Sequence, residues 1–385
     1  MIKYLGSKRA LLHYLTGLID LFPELHSVSD LFSGTSRCGH AFKRLGRRVI
    51  ASDYNAYAHT LAQCYVASDR ERYERDANAL IEELNLVSGT PGYFTETFCQ
   101  KSRFFQPFNG ERVDAIRERI ADLSVGPHLR AILLTSLMEA ADRVDSTCGI
   151  QMSYVKRWAK RSYRPLSLRL PDLAPAVQWG SCEAHLLDAA EAARLPVDIA
   201  YLDPPYNQHS YLSNYHIWES LVRWDKPDVY GVACKRVDCR ERKSPYNSKR
   251  SCLDALTTLI ERVDAPLIIT SFNDEGFIDR ATLIKTLSTR GDVSVFEIPF
   301  KRYVGAKIGI HNQRGQRVGE VSHTHNREYI FVVCTPELDL RVPDARARFR
   351  RFAQEHSGSV MYDDSCGGSH EKRAESTSKG SYSPS

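Results

Sequence analysis

The residues best suited to chemistry in this chain are Asp203-Pro204-Pro205-Tyr206. They follow the apolar run Ile199-Ala200-Tyr201-Leu202, which reads as a short buried strand. Asp203 then lies at the strand's carboxyl end, where open α/β sheets place their ligands. Two prolines fix the backbone beyond it, and Pro205 drives Pro204 toward an extended conformation. The result is a carboxylate, backbone carbonyls and an aromatic ring on a stiff frame, suited to a planar base with an exocyclic amine. Taken alone, the same residues equally describe a core strand stopped by proline.

A second group is a glycine turn. Val28-Ser29-Asp30-Leu31-Phe32 reads as a strand running into Ser33-Gly34-Thr35-Ser36-Arg37-Cys38-Gly39, followed by a helix to about Leu45. Arg47 to Ser52 reads as a further strand, closed by Asp53. Strand, glycine turn, helix, strand and acid make half of a nucleotide-binding unit, and this spacing lets Asp53 accept ribose hydroxyls. Ser36 stands at the middle position of the usual triple-glycine pattern. No Gly-Lys-Ser/Thr ending follows, which argues against a phosphate-cradling ATP loop. A third, weaker signal is Gly6-Ser7-Lys8, a turn before a helical stretch to about Leu21; an ordinary helix cap explains it as well.

The elements that must position these groups alternate as in a doubly wound sheet. The expected fold class is α/β: a Rossmann-like, mainly parallel sheet with an inserted region. Helical patterns fill Asn55–Ser88, Val113–Leu123 and Pro127–Val144. Tyr93–Gly110 is aromatic and polar, either a loop that meets nucleic acid or one pinned by its own rings. Further strands are expected at Pro266–Ser271, Val293–Ile298 and Tyr329–Cys334, with a polar, basic excursion over Phe300–Glu328. The expected domains are a cofactor-binding part (1–64), a mostly helical insertion with DNA contacts (65–180), a catalytic part with basic insertions (181–340), and a basic, then disordered tail (341–385).

The formal net charge of the 385 residues is only +5, which permits a polyanionic partner without requiring one. The charge is uneven. Ser153–Arg169 carries Lys156, Arg157, Lys160, Arg161, Arg164 and Arg169 among Tyr154, Trp158 and Tyr163, a pattern suited to phosphates and bases. Arg223–Arg250 is basic as well, with Arg236, Arg242 and Lys243 near its centre. Either stretch could instead be a solvated face. No run approaches the roughly 18 apolar residues of a membrane span, and no signal peptide is read, so no membrane partner is expected. The 10 cysteines form no CxxC pair. A reducing cytoplasm is therefore expected, with neither a disulfide scaffold nor a metal.

Three motifs occur in a telling order: Lys3-Tyr4-Leu5-Gly6-Ser7-Lys8, Asp30 through Gly39, and Asp203 through Tyr206. Together they resemble the Dam-related (D12 class) S-adenosylmethionine-dependent adenine-N6 DNA methyltransferases. Asn207 to Trp218, Ser271 to Gly276 and Asn326-Arg327-Glu328-Tyr329 look closer still to type IIS (FokI-like) modification enzymes. The resemblance covers roughly Met1 to Pro336. Such enzymes usually carry a second glycine where this chain has Ser36.

The resemblance implies S-adenosylmethionine as cofactor. Tyr4, Gly6 and Lys8 would flank its methionine end, and Asp30, Phe32, Gly34 and Thr35 would form its cradle. Asp53 would take the ribose hydroxyls, with Glu183 near the adenine. Asp203 and the Pro204 carbonyl would accept the target amine's N–H groups. Tyr206 would stack on a flipped base, with Tyr211 or Tyr215 either closing the other side or packing locally. Lys156, Arg157, Arg236, Arg242 and Lys243 are the expected nucleic-acid contacts. The implied protein is a monomer acting on double-stranded DNA, with a cognate restriction endonuclease as partner in a restriction setting. Cytosine-N4 methylation, RNA-base methylation and a catalytically silent DNA-binding protein stay open.

Overall fold

The computed structural model describes residues 1–155, 157–301, 310–311, 317–319 and 325–364. The chain divides into two compact units, Met1–Ala265 and Pro266–Ser385.

The first unit contains strands β1 (Ser27–Asp30), β2 (Arg48–Ser52), β3 (Glu183–His185) and β4 (Ile199–Leu202). They lie parallel in the order β4-β1-β2-β3, with Ser29 opposite both Ile50 and Ala200. All of β4 is buried, which is why it is a continuous apolar run rather than an alternating one. The crossover helix Arg37–Arg44 joins β1 to β2 and sets Phe42 edge-on against Tyr201 of β4, at 5.6 Å. The sheet grows from β1 in both directions, to β2 on one side and β4 on the other. The crevice beyond the carboxyl ends of β1 and β4 is the switch point where such sheets bind ligands.

Between β2 and β3 the chain is mostly helical, with Ala56–Ala62, Arg70–Asn85, Pro107–Asp122 and Pro127–Val144. The last two each start on a proline, whose missing N–H is no loss in a first turn. The aromatic segment between Arg70–Asn85 and Pro107–Asp122 packs inward: Phe94, Phe98 and Phe104 are 0% exposed, and Phe94 lies 5.0 Å from Phe98. Its rings pin the loop and build the core.

After β4 come the helices Tyr211–Asn214 and His216–Arg223, a hairpin of β5 (Val229–Tyr230) and β6 (Lys235–Arg236), and the helix Cys252–Arg262.

The second unit holds β7 (Leu267–Asn273), β8 (Asp292–Lys301), β9 (Ile310–His311), β10 (Arg317–Gly319), β11 (His325–Cys334) and β12 (Met361–Asp363). β11 pairs antiparallel with β7 and β8, β12 pairs with β8, and β9 and β10 form a small separate ladder. Part of the expected tail is ordered. The helix Ala345–Glu355 buries Ala345, Phe349, Phe352 and Ala353, with Phe349 and Phe352 edge-on to Phe296 of β8. Those four residues share one helical face, a periodicity that basic composition conceals. The rest of the expected disorder, from residue 365, lies outside the described residues. No helix among them is long and apolar enough to cross a membrane.

Candidate active site

The glycine turn is tied down at each step. Ser33 N–H bonds the carbonyl of Ser52 at 3.0 Å, Gly34 N–H bonds Asp53 Oδ2 at 3.0 Å, and Gly39 N–H bonds Asp30 Oδ2 at 2.9 Å. Gly34 has φ of 50°, and a Cβ there would stand 3.3 Å from the Tyr4 ring. Glycine is thus required both by conformation and by the approach of Tyr4. Ser36 also has positive φ, 58°, a conformation that costs an L-residue about 1–2 kcal/mol. That is a physical reason for the glycine usual at this position. The buried hydroxyls of Ser33 and Ser36 find no hydrogen-bond partner among the described residues.

Three carboxylates end three adjacent strands: Asp30 ends β1, Asp53 follows β2 and Asp203 follows β4. Burial pushes the Asp30 carboxyl up to about 7, against the Gly39 N–H bond and with help from the charges of Asp203 and Asp53. Asp30 is 1% exposed, so it braces the cradle from beneath. Burial also raises Asp53, opposed by N–H groups of Asn55 and Gly34. Asn55 N–H reaches Asp53 Oδ1 at 2.9 Å. Asn55 Nδ2 donates to the same oxygen at 3.1 Å; with two lone pairs on each carboxylate oxygen, Asp53 keeps acceptor capacity on Oδ2 for a ribose hydroxyl.

Asp203 Oδ1 lies 3.0 Å from Lys8 Nζ, and Lys8 is in turn 5.8 Å from the centre of the Tyr206 ring. The weak Gly6-Ser7-Lys8 signal therefore converges with the strongest one. Gly6 has φ of 73°, and a Cβ there would meet the Tyr211 hydroxyl at 2.9 Å. Tyr4 is sandwiched between Tyr211 (5.1 Å, 9° between planes) and Tyr215 (4.5 Å, 15°). Its hydroxyl pairs with that of Tyr57 at 3.0 Å, and Leu5 N–H donates to the Tyr215 hydroxyl at 2.5 Å. Of the two options for Tyr211 and Tyr215, local packing is the one observed. Phe32 is half-buried, edge-on to Tyr246 at 5.2 Å, and Thr35 is buried. Pro204 is buried and Pro205 half-buried. An adenosine cofactor fits this edge: a Cβ-free turn, an acid with lone pairs to offer, and unpartnered hydroxyls lie together.

Most of the other expected site residues have partners of their own. Glu183 opens β3 and turns to Arg48, at the start of β2, with contacts of 2.5 Å to Arg48 and 3.0 Å to His185. Its partners thus lie at the start of β2 and at the end of β3, where the carbonyl of His185 accepts the Asp53 N–H at 3.3 Å. Arg236 is 1% exposed; its fork takes Asp225 at 2.6 and 2.7 Å and Asp238 at 3.0 Å. It is a structural tie and no longer an available phosphate contact. Arg242 bonds Glu219 and the carbonyl of Tyr54. Lys243 is exposed and caps the Cys239 carbonyl at 2.7 Å. Arg157 is exposed; Lys156 lies outside the described residues. Among the described residues no cluster of His, Cys, Asp and Glu could hold a metal.

Two residues escaped sequence reasoning. Glu219, 0% exposed, accepts the Tyr57 N–H at 3.1 Å and so anchors the helix that follows Asp53. Asn247 donates to the carbonyls of Asn207 and His209 at 2.8 and 3.1 Å, bracing the segment after Tyr206. Neither lies in a motif, and only the spatial pairing reveals them.

Comparison with known proteins adds an independent finding. The family described as D12 class N6 adenine-specific DNA methyltransferase matches residues 4–283. Modification methylase StsI of Streptococcus sanguinis is 28% identical over 327 residues, covering 80% of this chain and 50% of its own length. Type II methyltransferase M.NlaIII of Neisseria lactamica is 28% identical over 339 residues, 84% of this chain and 98% of its own. Type II methyltransferase M.FokI of Planomicrobium okeanokoites is 28% identical over 357 residues, 86% and 52% respectively. The chain thus spans about half the length of two of these relatives and nearly all of the third. Equal identity to all three singles out no FokI-type kinship.

Proposed function

The chain belongs to the D12 class of N6 adenine-specific DNA methyltransferases, and from that premise we propose that it transfers a methyl group to the exocyclic nitrogen of a flipped-out adenine in double-stranded DNA. Methyltransferases of this family use S-adenosylmethionine, which supplies the methyl group as a sulfonium electrophile. The observation that carries the reading is Asp203 at the carboxyl end of β4, held 3.0 Å from Lys8 and beside the glycine turn that Asp53 braces.

The residues divide the work as follows. Gly34 leaves room at the turn, Thr35 and Phe32 flank it, and Asp53 offers acceptors to the ribose hydroxyls. The adenine amine is a poor nucleophile because its lone pair is delocalised into the ring. Asp203 and the Pro204 carbonyl accept its N–H bonds and favour a pyramidal nitrogen with a directed lone pair. Positive charge grows on that nitrogen during transfer, and a fixed carboxylate and carbonyl dipole stabilise it. Lys8 holds the carboxylate in place, and alignment supplies much of the remaining acceleration. An adenine within a duplex must leave the stack to reach Asp203, and Tyr206 is the ring available to stack on it. Relatives named as modification methylases support a restriction–modification setting, with a cognate endonuclease as partner.

The test is methylation of diverse DNA by the purified protein, followed by sequencing that separates N6-methyladenine from N4-methylcytosine. N6-methyladenine at a fixed sequence is expected, and Asp203→Ala should lower the rate by at least about a hundredfold with DNA binding kept. Methylcytosine, methylation of RNA alone, or a wild-type protein that transfers nothing would each defeat the reading.

A further inference from the structure

Arg242 belongs to the basic stretch, yet it reaches back toward the cofactor edge. Its guanidinium donates to Glu219 at 2.9 Å and to the carbonyl of Tyr54 at 3.2 Å, and it lies 4.9 Å from the centre of the Tyr54 ring. Tyr54 stands between Asp53 and Asn55 and is 53% exposed, so no core packing fixes its ring. Glu219 uses its other oxygen on the Tyr57 N–H at 3.1 Å. Arg242 and Glu219 thus grip the turn that presents Asp53 from both of its ends. Arg242 is also 3.6 Å from Asp238, which pairs with Arg236 at 3.0 Å and Arg223 at 3.1 Å. The Asp53 turn is thus hydrogen-bonded to the ion-pair network of the basic stretch, within one compact unit.

We propose that Arg242 is a positioning residue that sets the Asp53 turn from within the basic stretch and so couples cofactor binding to DNA binding. The proposal rests on the reading of Asp53 as acceptor of the cofactor's ribose hydroxyls. A ligand gains affinity when the turn it meets is already ordered. The planar fork of arginine can hold a carboxylate and a carbonyl while stacking on a ring, which lysine cannot do at once. DNA that meets the exposed Lys243, Lys249 or Arg250 of the same stretch bears on the turn through this fork, and the resulting coupling must be reciprocal.

Calorimetry with S-adenosylhomocysteine on the full chain tests this. Wild type, Arg242→Lys, Arg242→Gln and Asp53→Asn are titrated with and without a duplex carrying the methylated sequence. Arg242→Gln should weaken S-adenosylhomocysteine about tenfold, the loss of a net hydrogen bond to a charged group, and Arg242→Lys less. Arg242→Gln should also bring the DNA-dependent gain in cofactor affinity toward one. Its cofactor-free DNA binding should keep the wild-type salt dependence. If Asp53→Asn binds S-adenosylhomocysteine normally, the assignment of Asp53 fails and the proposal with it. If Asp53→Asn is weakened while Arg242→Gln is not, the proposal alone fails. A salt slope shallower by about 0.9 would make Arg242 a phosphate contact instead. A lowered melting temperature with unchanged cofactor affinity would make it a structural brace. No DNA-dependent gain in the wild type removes the coupling. Each of these last three results overturns the proposal.

Discussion

The two basic stretches differ in what their charges do. In 223–250 four of the five arginines are engaged: Arg236 with Asp225 and Asp238, Arg223 with the same two acids, Arg242 with Glu219, and Arg240 against Tyr230 at 4.0 Å. In 153–169, Arg161 pairs with Asp145 at 2.7 Å. Its neighbours Arg157, Lys160 and Arg164 are exposed and have no ion pair among the described residues. The first stretch interleaves its cations with acids, and the second carries none. Local charge density therefore measures availability to a polyanion only where acids are absent. The same number of cations can build an architecture or wait for a partner.

The comparison breaks first at Arg236. Arg236→Gln takes a buried fork from two carboxylates that keep Arg223, and should lower the unfolding free energy by about 2 kcal/mol, within the range for lost hydrogen bonds to charged groups. Urea denaturation reads this, and an unchanged midpoint would place Arg236 among the available charges. A smaller but more specific effect is expected in the other stretch. Changing Arg157, Lys160 and Arg164 together to Gln should leave the melting temperature within about a degree. It should make the plot of log affinity for DNA against log salt shallower by about 3, one counterion per lost phosphate contact. An unaltered slope would show that this face does not meet the backbone.

A sealed carboxyl extends the comparison from cations to acids. Asp30, raised to about 7, holds its proton in the folded chain while the unfolded chain gives it up near pH 4. Stability from this group is therefore full at low pH and is lost as pH rises from about 4 to 7. Asp30→Asn retains an acceptor for Gly39 and removes the titration. Its stability relative to wild type should rise across that window and level off above it. Parallel pH curves for the two proteins would refute the assignment.

Much of the sheet was legible because its signals are local. A continuous apolar run gave β4 and the strand–turn–helix–strand pattern gave β1 and β2; Asp53 and Asp203 were singled out from their positions at strand ends, and Asp30 from the resemblance. Which charges remain available was not legible, since the partners of Arg242 lie 23 and 188 positions away. Ser36 was visible as a departure from glycine, but its positive φ only emerges from the turn as built. Glu183 was named from the resemblance, and its pairing with Arg48 and His185 emerges only from the fold. The helix Ala345–Glu355 was missed because its apolar residues are few, although their spacing is regular.

The sandwich of Tyr4 between Tyr211 and Tyr215 bears on how the protein is made. Leu5 and Tyr215 are bonded across 210 positions, so the amino-terminal motif waits for residues near the middle of the chain before it has anything to stack on. At translation rates of about 5–20 residues per second, that wait is on the order of ten to forty seconds. Through that interval a nascent chain carries Tyr4, the ring that lies against the glycine turn, without the two rings that hold it there. A chain stalled ahead of Tyr211 should then be unable to retain S-adenosylhomocysteine, and the pocket should arise late and all at once during synthesis.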